Sequence, residues 1–202
     1  AKIDGIFYFG HGLADRWFGV SGMLMTPQNV KLLEDKIAVA ISCYSGKVLG
    51  RLAVNEGGAR AYIGFTDTVY AAFPEAEHNY LADFITLWVG MPILLVSGKT
   101  AGEAVNWFVE QSNKFRELYM SKYPDWINAD WYADAVEWNA KHLILHGDNN
   151  ATLDTIVEVS QMDKRELKKT AYSILLGLGI PVALIAYAAY TGYKYYEKPV
   201  SY

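Results

Sequence analysis

One cysteine in 202 residues, four histidines and a thin supply of charge limit the chemistry this chain can carry. A single thiol, Cys43, excludes an internal disulfide framework and any metal site built from clustered cysteines. Charged residues make up 20% of the chain, the formal net charge is −4, and no basic stripe is present. A nucleic-acid partner is therefore not expected, because nothing would neutralise a row of phosphates. What the chain does have is apolar surface: 52% of its residues are hydrophobic, enough to bury the core of one globular domain with material left for a tail.

The stretch Ile37 to Ile41 reads IAVAI, and Ser42-Cys43-Tyr44-Ser45-Gly46 follows it. An uncharged run of this kind predicts a strand buried on both faces, as in parallel sheets of α/β proteins. Cys43 then falls in the turn at the carboxyl end of the strand, where open α/β sheets place their chemistry. A second stretch has the same design: Ile3 to Gly10 is strand-like and runs into His11-Gly12. If the two strands lie side by side and parallel, His11 and Cys43 emerge at the same sheet edge. An imidazole beside a thiol can hold it as thiolate or take its proton, which is what nucleophilic catalysis by sulfur requires. Glycines flanking His11, and Gly46 after Cys43, are expected to let the backbone turn sharply and approach a substrate.

His-Gly after one strand, Ser-Cys-Tyr-Ser-Gly after the next, Gly57 to Thr66 (GGARAYIGFT), Thr100 to Ala104 (TAGEA) and Leu143 to Asp148 (LILHGD) occur in that order. In this order and spacing the chain resembles the caspase-like (clan CD) cysteine peptidases, and within them the gingipain-like and CHAT-type domains, over roughly Ile3 to Leu153. The resemblance implies an α/β fold, a three-layer sandwich around a mostly parallel sheet. It implies a cysteine endopeptidase that acts on a peptide or protein substrate and needs no cofactor. His11 would be the general base and Cys43 the nucleophile, with backbone N–H groups near Gly12 and Cys43 holding the oxyanion. In a caspase-like fold two strands and their helices precede the strand that carries the histidine. An N-terminal portion is therefore expected to be missing, cleaved away or supplied by another chain, since folded proteins avoid an uncovered sheet edge.

Taken in order, Leu13 to Lys36 is expected to be loop and then one short helix, Pro27 to Asp35, with Thr26 as N-cap and Pro27 at the first helical position. That helix would be the crossover that makes the strands parallel. Gly46 to Asn55 has amphipathic helical spacing, and its N-terminus just after Cys43 would favour a thiolate. Ala59 to Phe65 is a third strand, which brings Asp67 near the site. Asp67 either selects a basic substrate side chain or caps a backbone group in its turn. Helical patterns at Ala76 to Gly90, Thr100 to Tyr123 and Asp130 to Lys141 cover the sheet, and a strand at His142 to Leu145 closes it. His78, His142 and His146 are weaker partners for Cys43 than His11, His146 because its strand should lie several strands away. Asp148, Asn149, Asn150 and Asp154 supply oxygens but lack the spacing of a calcium loop, so a solvated turn is expected and no metal.

The organisation read from composition is a caspase/gingipain-like domain at 1–160, a charged stalk at 161–170, a transmembrane helix at 171–192 and a short tail at 193–202. Ala171 to Tyr190 carries no charge and is long enough to cross a hydrocarbon core of about 30 Å at about 1.5 Å per residue. Tyrosines at or near its ends suit an aromatic belt. Lysines and arginines before the span weakly favour a cytoplasmic domain, while Asn150-Ala151-Thr152 and the low charge content suit an exported one. A single-pass membrane protein with its domain leaning outward is the expectation, the lipid bilayer being a partner. Two other readings stay open. Cys43 can be a small buried hydrophobe, and the domain can be an inactive caspase-like scaffold that binds partner chains.

Overall fold

The computed structural model describes residues 3–19, 22–72 and 80–154, and its centre is a sheet of four strands. In chain order these are β1 (Gly5–Phe9), then after three short strands, β2 (Gly12–Leu13), β3 (Arg16–Gly19) and β4 (Gly22–Met25), the strand β5 (Ile37–Ile41). Helix α1 (Leu49–Asn55), strand β6 (Ala61–Phe65), helices α2 (Tyr80–Val96), α3 (Ala101–Glu117) and α4 (Ala129–His142), and strand β7 (Leu143–Gly147) follow. The main sheet runs β1-β5-β6-β7. β1, β5 and β6 are parallel, and β7 is antiparallel to β6. It is a mixed α/β fold with a mostly parallel sheet.

β5 and β6 are buried at every position, which is why both read as unbroken apolar runs. Their side chains alternate between two cores. Ile37, Val39, Ile41, Ala61, Ile63 and Phe65 face a core closed by α2, α3 and α4. Ala38, Ala40 and Tyr62 face a second core formed with Tyr8, Trp17, Met25, Val30, Leu33 and Leu49. The sheet is therefore covered on both faces, by three helices on one and by α1, residues 27–33 and the small strands on the other. β1 pairs with β5 alone, so among the described residues it is an edge strand.

Several local expectations need correction. Leu13 to Met25 is not loop: β2, β3 and β4 form an antiparallel meander. Strands of two to four residues interrupted by glycine carry too little periodicity to be seen in sequence. The helix after Thr26 is a 3-10 helix, Pro27–Leu33, shorter than expected. Thr26 is at its N-cap, but the capping acceptor is Asn29 Oδ1, which takes the Thr26 N–H at 2.7 Å. The helix stops at Glu34, before Asp35 turns left-handed (φ 58°). α2 continues past Gly90 and through Pro92 because Leu87, Met91 and Leu95, one turn apart, are all fully buried. α3 opens on the expected capping box, with Glu103 N–H donating to Thr100 Oγ1 and Thr100 N–H to Glu103 Oε2. It passes into a π-helical turn, Leu118–Lys122. Residues 155–202 lie outside the described residues, and with them the stalk, the transmembrane span and the tail. Among the described residues no helix is long and apolar enough to cross a membrane.

Candidate active site

The parallel pairing of β1 with β5 fixes the relative height of the two turns that carry His11 and Cys43. The last paired residues are Phe9 and Ile41, and Gly10 N–H still donates to Ile41 O at 3.2 Å. His11 and Cys43 each follow by two residues the last paired position of their strand. Contact between the turns is close: a Cβ added at Gly12 would lie 2.7 Å from Ser42 Oγ and 3.0 Å from the Cys43 carbonyl oxygen. Glycine is required there by proximity, not by backbone angle. His11 is exposed and Cys43 is half-buried. Cys43 Sγ accepts a hydrogen bond from Val69 N–H at 3.4 Å. Among the described residues no backbone carbonyl takes the Cys43 N–H.

The turn after Cys43 is made by Tyr44, not by Gly46. Tyr44 has a left-handed backbone (φ 59°), an unusual state for a bulky residue that costs on the order of 1 kcal/mol. It is held at both ends by the exit of β6. Its N–H donates to Asp67 O at 2.9 Å, and its hydroxyl accepts from Thr68 Oγ1 at 3.0 Å. Gly46 is needed for a different reason, because its backbone crosses β6 at contact distance, with its N–H donating to Phe65 O at 2.8 Å. α1 begins only at Leu49, so the expected helix N-terminus beside Cys43 is not formed; residues 43–48 are turns. The amphipathic spacing of Val48, Leu49, Leu52 and Ala53 located the helix but not its first residue.

A chain of buried polar contacts ties the meander to the thiol turn. Trp17 is stacked on Tyr8 with centroids 4.7 Å apart, and its indole N–H donates to Tyr62 Oη at 2.9 Å. Tyr62 in turn donates to Ser45 O at 2.9 Å. Ser45 Oγ donates to Ala40 O at 3.0 Å and accepts from Phe65 N–H at 3.2 Å, which links β5 to β6 beneath the turn. Burial pushes the Tyr62 phenol far up, so it stays a neutral donor at any physiological pH. On the other side, Tyr8 Oη lies 2.5 Å from His11 O and 2.8 Å from Phe18 O, bracing the segment that carries His11. Burial also raises the Tyr8 phenol above its ordinary value. None of these partners was visible in sequence, because each contact spans elements whose pairing is set by the fold.

Asp67 lies in the turn after β6. Its carboxylate accepts from Thr68 N–H at 2.7 Å. That bond holds the carboxyl below the usual range, helped by the nearby His142 and Lys47 charges and by Tyr44, against a smaller upward push from desolvation. Backbone capping, one of the two roles expected for Asp67, thus describes its geometry. His142 is at the same sheet edge, where its Nδ1 is 3.0 Å from Thr66 Oγ1 and its ring packs on Trp138. His146 is nearer the thiol turn than expected, with Nε2 2.7 Å from Gly46 O, because residues 43–48 bend back across β6 towards β7. His78 lies outside the described residues. Asp148 caps Asn150 N–H at 2.8 Å, and Asp154 pairs with Arg60 at 3.1 Å. Among the described residues no group of His, Cys, Asp or Glu could hold a metal ion.

Together these features define a mixed α/β domain with an imidazole and a thiol at the carboxyl edge of its parallel strands. No family model matches the chain, and no curated protein matches it. A solved structure described as "Structure of Protease" is similar at 18% identity with a TM-score of 0.39; the match covers 76% of this chain and 36% of that one. The matched part of this chain therefore spans about a third of that protein's length.

Proposed function

We propose that the domain is a caspase-like cysteine endopeptidase, akin to gingipain-like and CHAT-type domains, in which His11 and Cys43 act as a dyad. The observation that supports this reading is the parallel pairing of β1 with β5, which ends at Phe9 and Ile41, two residues before His11 and Cys43. In the reaction His11 takes the Cys43 proton and Sγ attacks a peptide carbonyl, forming a C–S bond as the carbonyl π pair moves to oxygen. Collapse of that adduct breaks the C–N bond, the amine leaves with the proton from His11, and water hydrolyses the thioester to regenerate the thiol. The Cys43 N–H, free of a backbone acceptor among the described residues, and the backbone at Gly12 are the oxyanion donors of the proposal, worth roughly 3 kcal/mol each in such sites. Asp67 would draw a basic substrate side chain to the neighbouring turn.

His11 and Cys43 are not hydrogen-bonded to each other here, and dyads of this type often close only on substrate. The test is alkylation of Cys43, which has no competing thiol in the chain. At pH 6 iodoacetamide should modify the native protein about tenfold faster than His11→Ala, with the gap narrowing at pH 9 where thiols ionise unaided. Equal rates in the two proteins at both pH values would overturn the dyad. In that case the second reading, an inactive scaffold, is supported by β1, which among the described residues is paired on one side only and suits a strand from a partner chain.

The membrane anchor at 171–192 belongs to the same proposal and is supported by its uncharged composition. Residues 161–170 would be its stalk and 193–202 its tail, with the domain leaning to the extracytoplasmic side. Extraction of the full chain from membranes by alkaline carbonate would remove that part of the reading.

A further inference from the structure

A group of exposed aromatic rings begins one residue beyond the N–H that touches the thiol. Val69 N–H donates to Cys43 Sγ, and the next residue, Tyr70, stands edge-on to two indoles, Trp131 at 5.9 Å and Trp138 at 6.0 Å between centroids. Tyr70 is 38% exposed, Trp131 46% and Trp138 37%. Rings of this size ordinarily contribute to stability by being buried, and contiguous exposed apolar surface marks a contact site.

The group is held rigidly. Asn139, fully buried on α4, takes Tyr70 N–H on its Oδ1 at 2.9 Å and donates its amide N–H to Tyr70 O at 2.8 Å. The Trp138 indole N–H donates to Thr68 O at 3.0 Å. One set of bonds from α4 thus fixes both the Val69 N–H on the sulfur and the Tyr70 ring on the two indoles. Because Thr68 O, the Trp138 indole N–H and both main-chain groups of Tyr70 are already engaged, what these residues offer to a ligand is mainly ring surface, with the Tyr70 hydroxyl and the Trp131 indole N–H as its polar groups.

We propose that Tyr70, Trp131 and Trp138 form a subsite that receives an aromatic or large apolar side chain of the peptide whose carbonyl reaches Cys43. The inference rests on the peptidase reading for its substrate, and its test is arranged to fail separately. Cys43 is alkylated with iodoacetamide, with N-(2-phenylethyl)iodoacetamide and with N-(2-aminoethyl)iodoacetamide, in the native chain and in Trp131→Ala, Tyr70→Ala, His11→Ala and Asp67→Asn. The phenylethyl reagent should outpace iodoacetamide by about tenfold in the native protein, the effect of one stacked apolar ring. Trp131→Ala and Tyr70→Ala should bring that ratio close to one. His11→Ala should slow all three reagents if the dyad exists, leaving the ratio unchanged, so the dyad can fail while the subsite stands. Trp131 projects from the surface of α4, and its replacement should leave the far-UV circular dichroism unaltered. A native ratio of one, a ratio unmoved by both aromatic replacements, or an aminoethyl reagent that still outpaces the phenylethyl one in Asp67→Asn overturns the proposal.

Discussion

The two faces of the main sheet are built on different principles. Under α2, α3 and α4 the core is dominated by aliphatic and aromatic packing, with contacts such as Phe65 against Phe108 at 6.1 Å and Tyr80 on Tyr132 at 4.0 Å. The opposite core is smaller and includes the polar run Trp17, Tyr62, Ser45 that reaches the thiol turn. The first arrangement is adapted to hold the fold by buried area, which is non-directional. The second is adapted to hold geometry, because hydrogen bonds and stacked rings specify direction and distance. Tyr62 and Phe108 are thus expected to act differently on the site and on stability, while α4 also reaches the site through Asn139 and Trp138.

The largest effect expected is at the thiol itself. Cys43→Ala should abolish peptide cleavage while leaving the thermal midpoint within a few degrees of the native value; retained turnover would end the nucleophile assignment. Next comes Phe108→Ala, in the helical core, which should cost about 3–5 kcal/mol in urea unfolding and leave the alkylation ratio between native and His11→Ala unchanged at temperatures where both fold. A loss below about 1 kcal/mol would break the contrast between the faces. Tyr62→Phe sharpens it from the other side. Removing that hydroxyl leaves the Trp17 N–H and the Ser45 carbonyl without their partner and should cost about 1–3 kcal/mol. Here the rate of Cys43 alkylation should change as well; an unchanged rate would show that the polar run is structural only.

The smallest effect concerns pH. The Asp67 carboxyl is held below its ordinary value by Thr68 N–H and by the nearby positive charges, so its contribution to stability is present above pH about 4 and is lost as pH falls through the depressed value. Asp67→Asn should therefore flatten the acid side of the stability profile without altering it near pH 7. A change of similar size at both pH values would point to loss of the turn itself.

β5 and β6 could be read in sequence because burial on both faces demands unbroken apolar runs, and α3 because Thr100 and Glu103 are spaced as a capping box. The meander could not, since β2 to β4 owe their existence to Trp17 lodging against Tyr8 and Tyr62 and not to any local pattern. Likewise α1 starts later than its spacing suggests because Ser45 and Gly46 are drawn onto β6, by Phe65 N–H donating to Ser45 Oγ and Gly46 N–H donating to Phe65 O. His11 and Cys43 were visible as strand-end residues. Tyr44 and Val69 were not, and His142 was read only as a weaker partner at the start of the closing strand, because what brings them to the same edge is the β6 exit turn and the last turn of α4.

By itself the sequence determined the main-sheet strands and the long helices, though not the meander, and which two residues would follow the first two main-sheet strands, since periodicity and run length act over a few residues. Tertiary structure alone decided the register of β1 on β5, the left-handed turn at Tyr44 and the grouping of Tyr70 with two distant indoles. Those features depend on contacts between residues far apart in the chain, whose energies exist only once the sheet has formed.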